Sequence, residues 1–137
     1  MTNELQKEVV RIALTVSGMT TSNFFFPNAP PNTPFPYSVL SEISNPNTWD
    51  SKSDYETANI QFAVYGHTIA SINTLAEAIM AKFDHGQSEF SSLTTLTCVD
   101  CQRTSYMRGK IETGVPGEEV GRIIIECSIE VQKNRTR

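Results

Sequence analysis

Five prolines crowd residues 18–36: Pro27, Pro30, Pro31, Pro34 and Pro36. Each lacks an amide donor and holds φ at about −65°, so neither a regular helix nor a central strand fits there. The stretch divides the chain into a short leading segment and a longer remainder. It reads as an extended connector, and it carries Phe24, Phe25, Phe26 and Phe35.

The leading segment, Thr2 to Ser17, predicts a helix. Leu5, Val9, Ile12, Ala13 and Val16 recur at helical spacing, while Glu4, Lys7, Glu8 and Arg11 fall mostly off that face. Thr2 or Asn3 can cap its start and Gly18 can stop it. After the connector, Pro36–Ser44 and Tyr55–Gly66 alternate as strands. The polar stretch Asn45–Asp54 between them has turn chemistry, so the pair predicts an antiparallel hairpin with a long loop.

A second helix is expected from about Thr68 or Ser71 to Phe83, with Ile69, Ile72, Leu75, Ala76, Ile79 and Met80 in a broad apolar stripe. Two further strands follow, near Thr94–Arg108 and over Glu119–Gln132, joined by a turn at Gly114–Gly117. In the last strand Gly121, Ile123, Ile125, Cys127, Ile129 and Val131 mark a buried face. The order α-β-β-α-β-β predicts an α+β fold: an antiparallel sheet of about four strands with two helices packed on one face. Residues 133–137 read as a polar, mobile tail.

At 137 residues the chain fits one domain, which at this size buries roughly two-thirds of its unfolded surface. Its formal charge of −4 and pI of about 5.1 do not favour gripping a DNA backbone, which needs clustered Lys and Arg. No apolar run approaches the roughly 18 residues of a membrane span. Charged residues interrupt the N-terminus, so no signal peptide is read there. Cys98, Cys101 and Cys127 are odd in number, which points to a reducing cytosol rather than a disulfide scaffold.

Cys98-Val99-Asp100-Cys101 raises zinc or redox chemistry. On a regular strand, residues three apart point to opposite faces, which argues against both. The other ligand candidates, Cys127, His67 and His85, are scattered, so the cysteines are expected to be small buried apolar groups. His67 and His85 flank the second helix, too far apart to act together, and each is expected to be a capping or surface residue. No nucleophile elbow, phosphate loop or metalloprotease motif occurs. No catalytic, cofactor-binding or metal-binding residue is assigned, and no cofactor is expected.

Three features read as interaction surface. Three consecutive aromatics, Phe24, Phe25 and Phe26, cannot all face one small core, so some bury locally and at least one is expected to reach a neighbour. Trp49, the one tryptophan, sits inside the polar loop Asn45–Asp54, either folded back on the sheet or anchoring a partner. The basic C-terminal tail is most simply a solvated end.

The whole pattern resembles a known family. An amphipathic helix leads through a Pro-rich connector to Pro36-Tyr37-Ser38-Val39-Leu40-Ser41-Glu42-Ile43. Then come Ile60-Gln61-Phe62-Ala63-Val64-Tyr65-Gly66 and at once a helix with Leu75, Ala76, Ile79 and Phe83. Arg103 lies in the third strand, and a long strand ends the chain. This is similar to the tail-completion proteins of tailed phages, the tail-terminator or head–tail joining proteins, most clearly over residues 36–83. The resemblance implies a non-enzymatic virion protein of the tail or neck, assembled in the host cytoplasm. It implies a ring, typically a hexamer, that ends tube growth on the tail-tube protein and then meets the head connector protein. Genomic DNA would pass through the lumen, with no membrane partner. An adaptor, stopper or tail-tube protein is the neighbouring reading, and a small ligand-binding α+β domain the more distant one. The contact residues, Phe24, Phe25, Phe26, Phe35 and Trp49, come from local chemistry and not from a family motif.

Overall fold

The computed structural model describes residues 1–44, 55–112 and 119–134. The expected turn at Gly114–Gly117 and the whole loop Asn45–Asp54, with Trp49 within it, lie outside these residues. The elements are α1 (Asn3–Ala13), β1 (Phe24–Phe25), β2 (Tyr37–Ser44), β3 (Tyr55–Gly66), α2 (Ile69–Phe83), one 3₁₀ turn (Gln87–Glu89), β4 (Leu96–Glu112) and β5 (Glu119–Lys133). The fold is α+β.

The sheet corrects the four-stranded antiparallel expectation. It has five strands in the order β1-β2-β3-β5-β4 and is mixed, because β1 runs parallel to β2. The connector does contain a strand, confined to Phe24–Phe25 at the sheet edge and ending before Pro27. Proline exclusion applies to central positions, and this edge pair precedes the prolines.

α1 begins where expected, with the Thr2 hydroxyl accepting from the Leu5 amide, but ends at Ala13 and not Ser17. Beyond it the chain tightens: Thr15 N–H donates to Ile12 O and Val16 N–H to Ala13 O, each three residues back. The Thr15 hydroxyl also donates to Ile12 O, taking a carbonyl the helix would have used. α2 starts at Ile69 behind a capping box in which Thr68 and Ser71 exchange side-chain and backbone hydrogen bonds.

The strand pairings define two faces. Leu40, Ile60, Phe62, Val64, Ile123, Ile125, Cys127, Ile129 and Val131 point to the inner face and are buried. Both helices cover that face. Phe83 of α2 packs its ring 4.8 Å from Phe62, and Met1, just before α1, reaches Glu42 and Glu56 through its amine. Leu5, Val9 and Ile12 join Ile72, Ala76 and Ile79 in one apolar cluster with the sheet. Burial of each such side chain contributes roughly 1.5–3 kcal/mol. The start of the polar tail is docked and not loose. Lys133 closes β5, and Asn134 donates its amide to Thr95 O and its side chain to Thr94 O.

Among the described residues, no helix is long and apolar enough to cross a membrane.

Candidate functional site: the uncovered sheet face

The opposite sheet face carries no described helix. Its side chains follow from the ladder register. Phe25 pairs with Val39, Val39 with Ala63, Ala63 with Ile124, and Ile124 with Met107. One apolar residue from each of the five strands thus lines up across the whole sheet. At about 4.8 Å per strand the row is roughly 19 Å long. The next row towards the end of the sheet is Tyr37, Tyr65, Arg122 and Gly109. On the other side comes a polar row, Ser41, Gln61, Glu126 and Ser105. The apolar band therefore has a sharp polar border.

The connector folds against one end of this band. Tyr37 stacks on Tyr65 at 5.0 Å and on Phe35 at 5.6 Å, Phe25 meets Tyr37 edge-on at 6.3 Å, and His67 meets Phe35 edge-on at 5.0 Å. Burial and the neighbouring Tyr65 push the Tyr37 phenol above its ordinary pKa. Pro27 and Ala29 stand over a cavity of about 370 Å³ floored by Tyr37, Val39, Ala63 and Tyr65.

The predicted interface residues are thus sorted by strand alternation. Phe25 and Phe35 gather at the uncovered face. Phe24 is buried and Phe26 is partly buried against the core. Trp49 lies outside the described residues. Tyr37, Tyr65, Ile124 and Met107 share this face with Phe25 and Phe35 and were not singled out by local spacing. Nothing in local spacing distinguishes an apolar residue on the uncovered face from one in the core.

β4 shifts register between Cys98 and Asp100, so Val99 is an extra residue. Cys98 then pairs with Val131 and Cys101 with Ile129, which places both on the inner face and not on opposite faces. Both remain thiols in apolar surroundings. Cys101 donates to Phe83 O at 2.9 Å and Cys98 to Asp100 O at 3.3 Å. A second cavity of about 380 Å³ lies where α1 meets β4, near Glu4 and Thr95. Its carboxylate is already engaged, since Glu4 accepts hydrogen bonds from Thr94 and Thr95.

The chain matches no protein-family model and no curated protein.

Proposed function

We propose that this protein is a ring-forming structural component of a tailed phage, closing the tail tube at its head-proximal end and joining it to the head connector protein. The observation that carries the reading is the five-strand apolar row on the uncovered face, Phe25-Val39-Ala63-Ile124-Met107. Met107 in that row is 53% exposed, a large apolar side chain held out on an otherwise ordered strand. Ala63 at the centre of the row is 4% exposed, so its accessible apolar surface lies towards the two ends, and such surface with a polar rim is the chemistry of a protein contact.

The geometry favours a ring over a two-fold dimer. The band is unlike at its two ends: aromatic connector residues Phe25 and Phe35 at one edge, Met107 at the other. Joining unlike patches head to tail generates a closed ring when the rotation between copies divides a full turn. Six copies is the number the resemblance implies. In this arrangement the tail-tube protein and the head connector protein meet the two faces of the ring, and genomic DNA passes through its lumen. Trp49 keeps its proposed place as an anchor to one of these partners.

Electron microscopy of the purified protein, alone and with tail tubes, tests the reading. Rings, or capped tubes of fixed length, are expected, and Phe35→Ala combined with Met107→Asp is expected to leave folded monomers. A wild-type protein that stays monomeric at high concentration and leaves tubes uncapped would refute it.

A further inference from the structure

β4 forms the long edge of the sheet, and no described strand pairs with its outer side. Beyond a second register shift between Arg103 and Ser105, it runs regularly against β5 from Ser105 to Glu112. The extra residue, Thr104, is pinned by its hydroxyl to Glu126 O at 3.2 Å. The unpaired backbone groups of this stretch form a template for another strand.

One side of that edge is cationic. Arg103, Tyr106, Arg108 and Lys110 pair with Cys127, Ile125, Ile123 and Gly121, so all four stand on one sheet face. Arg103 and Arg108 flank the Tyr106 ring, with guanidinium carbons 6.0 and 5.9 Å from its centroid. Lys110 is paired with Glu119 at 3.1 Å, whereas neither arginine has a carboxylate within ion-pair distance among the described residues. Arg103, Arg108 and Lys110 are exposed. In a chain of net charge −4, two positive side chains thus flank an aromatic ring without an ion pair among the described residues.

We propose that the β4 edge accepts an extended acidic segment of another protein as an added strand, with alternate carboxylates facing Arg103 and Arg108. Strand addition satisfies the edge backbone groups, and alternation brings every second side chain of the incoming segment to the arginine side. A planar guanidinium takes a carboxylate through two parallel hydrogen bonds.

A second copy of this chain does not supply the acid through its opposite edge. Residues 12–41, which include β1 and the connector, contain no Asp, Glu, Lys or Arg. A nucleic acid fits less well than a peptide. Phosphates leave the edge amides and carbonyls of a strand largely unpaired, and the Asp84 carboxylate accepts from the Arg103 backbone amide at 3.2 Å, which disfavours a polyanion there. The inference rests on β4 alone, so failure of ring assembly leaves it intact.

The test uses the full chain with two short fluorescent peptides, one alternating Glu with Thr and one alternating Lys with Thr, and a short DNA duplex. The Glu peptide is expected to bind, and to slow hydrogen exchange of amides between Ser105 and Ile111. Replacing both arginines, Arg103→Gln with Arg108→Gln, is expected to weaken it by about thirtyfold, the sum of two exposed charge pairs at the upper end of their range. Arg108→Glu should cancel the preference for the Glu peptide with an unchanged melting temperature. Equal binding of the two peptides, no binding of the Glu peptide, binding without slowed exchange in β4, or preference for the duplex would each overturn the proposal.

Discussion

Gly66 and Gly121 stand directly opposite each other on β3 and β5, and neither has room for a methyl group. A Cβ on Gly121 would lie 2.6 Å from the Thr68 carbonyl carbon and 2.7 Å from the Ile69 nitrogen. One on Gly66 would lie 2.3 Å from Ile72 Cγ2. The pair forms a shallow seat on which the first turn of α2 rests. Because the obstacle at Gly121 is backbone, Gly121→Ala is expected to cost about 1–3 kcal/mol by overpacking. Gly109→Ala, where no atom lies within 4 Å, should stay within about 0.5 kcal/mol of wild type. Thermal melts of the two variants check both values, and equal melting temperatures would refute the seat.

Phe62 joins the sheet to α2. It is fully buried and its ring meets that of Phe83, which is also fully buried. Phe62→Ala is expected to cost about 3–5 kcal/mol in urea unfolding. Met107→Ala on the opposite face should cost no more than about 0.5 kcal/mol in the isolated chain, its effect falling on assembly.

Glu4 ties α1 to the start of β4. Hydrogen bonds from the Thr95 hydroxyl and the Thr94 amide hold its carboxyl below the ordinary carboxylate range, against an opposing effect of burial. A depressed folded pKa stabilises the protein above the unfolded pKa, and that contribution is lost as pH falls through the folded value. Acidification is therefore expected to loosen this junction first. Hydrogen exchange at the Thr94 and Thr95 amides, corrected for intrinsic rates, should rise towards low pH in wild type. It should lose that dependence in Glu4→Gln. The same dependence in both proteins would assign it elsewhere.

Burial above all raises the pKa of Cys98 to about 11 and of Cys127 to about 12, and pushes Cys101 further still. The thiolate is the reactive form, so all three are expected to resist alkylation near neutral pH. Cys98, the least buried, should label first and slowly. Cys101 and Cys127 should label only on unfolding. Mass spectrometry of the intact protein after timed iodoacetamide treatment reads the order.

Periodicity made the elements legible. The alternation over Tyr55–Gly66 and Glu119–Lys133 and the helical stripe over Ile69–Phe83 are local records of one face being buried. Less was legible where a single residue breaks the period. Val99 and Thr104 each enter β4 as an extra residue, and each reverses the face assignment of everything beyond it. Cys98 and Cys101 share a face for that reason, against simple alternation. Along β2 the alternation is readable but its sense is not. The uncovered side holds Tyr37 and Val39, and the buried side Ser38 and Leu40. The placement of the candidate contact residues was half legible. Phe25 and Phe35 reach the uncovered face, while Phe24 and Phe26 turn inward because β1 alternates like any strand.

The amino-acid sequence by itself determined the succession of helices and strands, because hydrophobic period, caps and prolines act over a few residues. It also determined that the proline-rich connector holds no central strand. Only the tertiary structure decided that Phe24–Phe25 adds a parallel edge strand. It alone aligned Phe25, Val39, Ala63, Ile124 and Met107 in one row, and gathered Arg103 and Arg108 around Tyr106. Those relationships depend on register between strands distant in the chain. Register is set by the packing of the whole sheet against its helices and shifted by single-residue bulges.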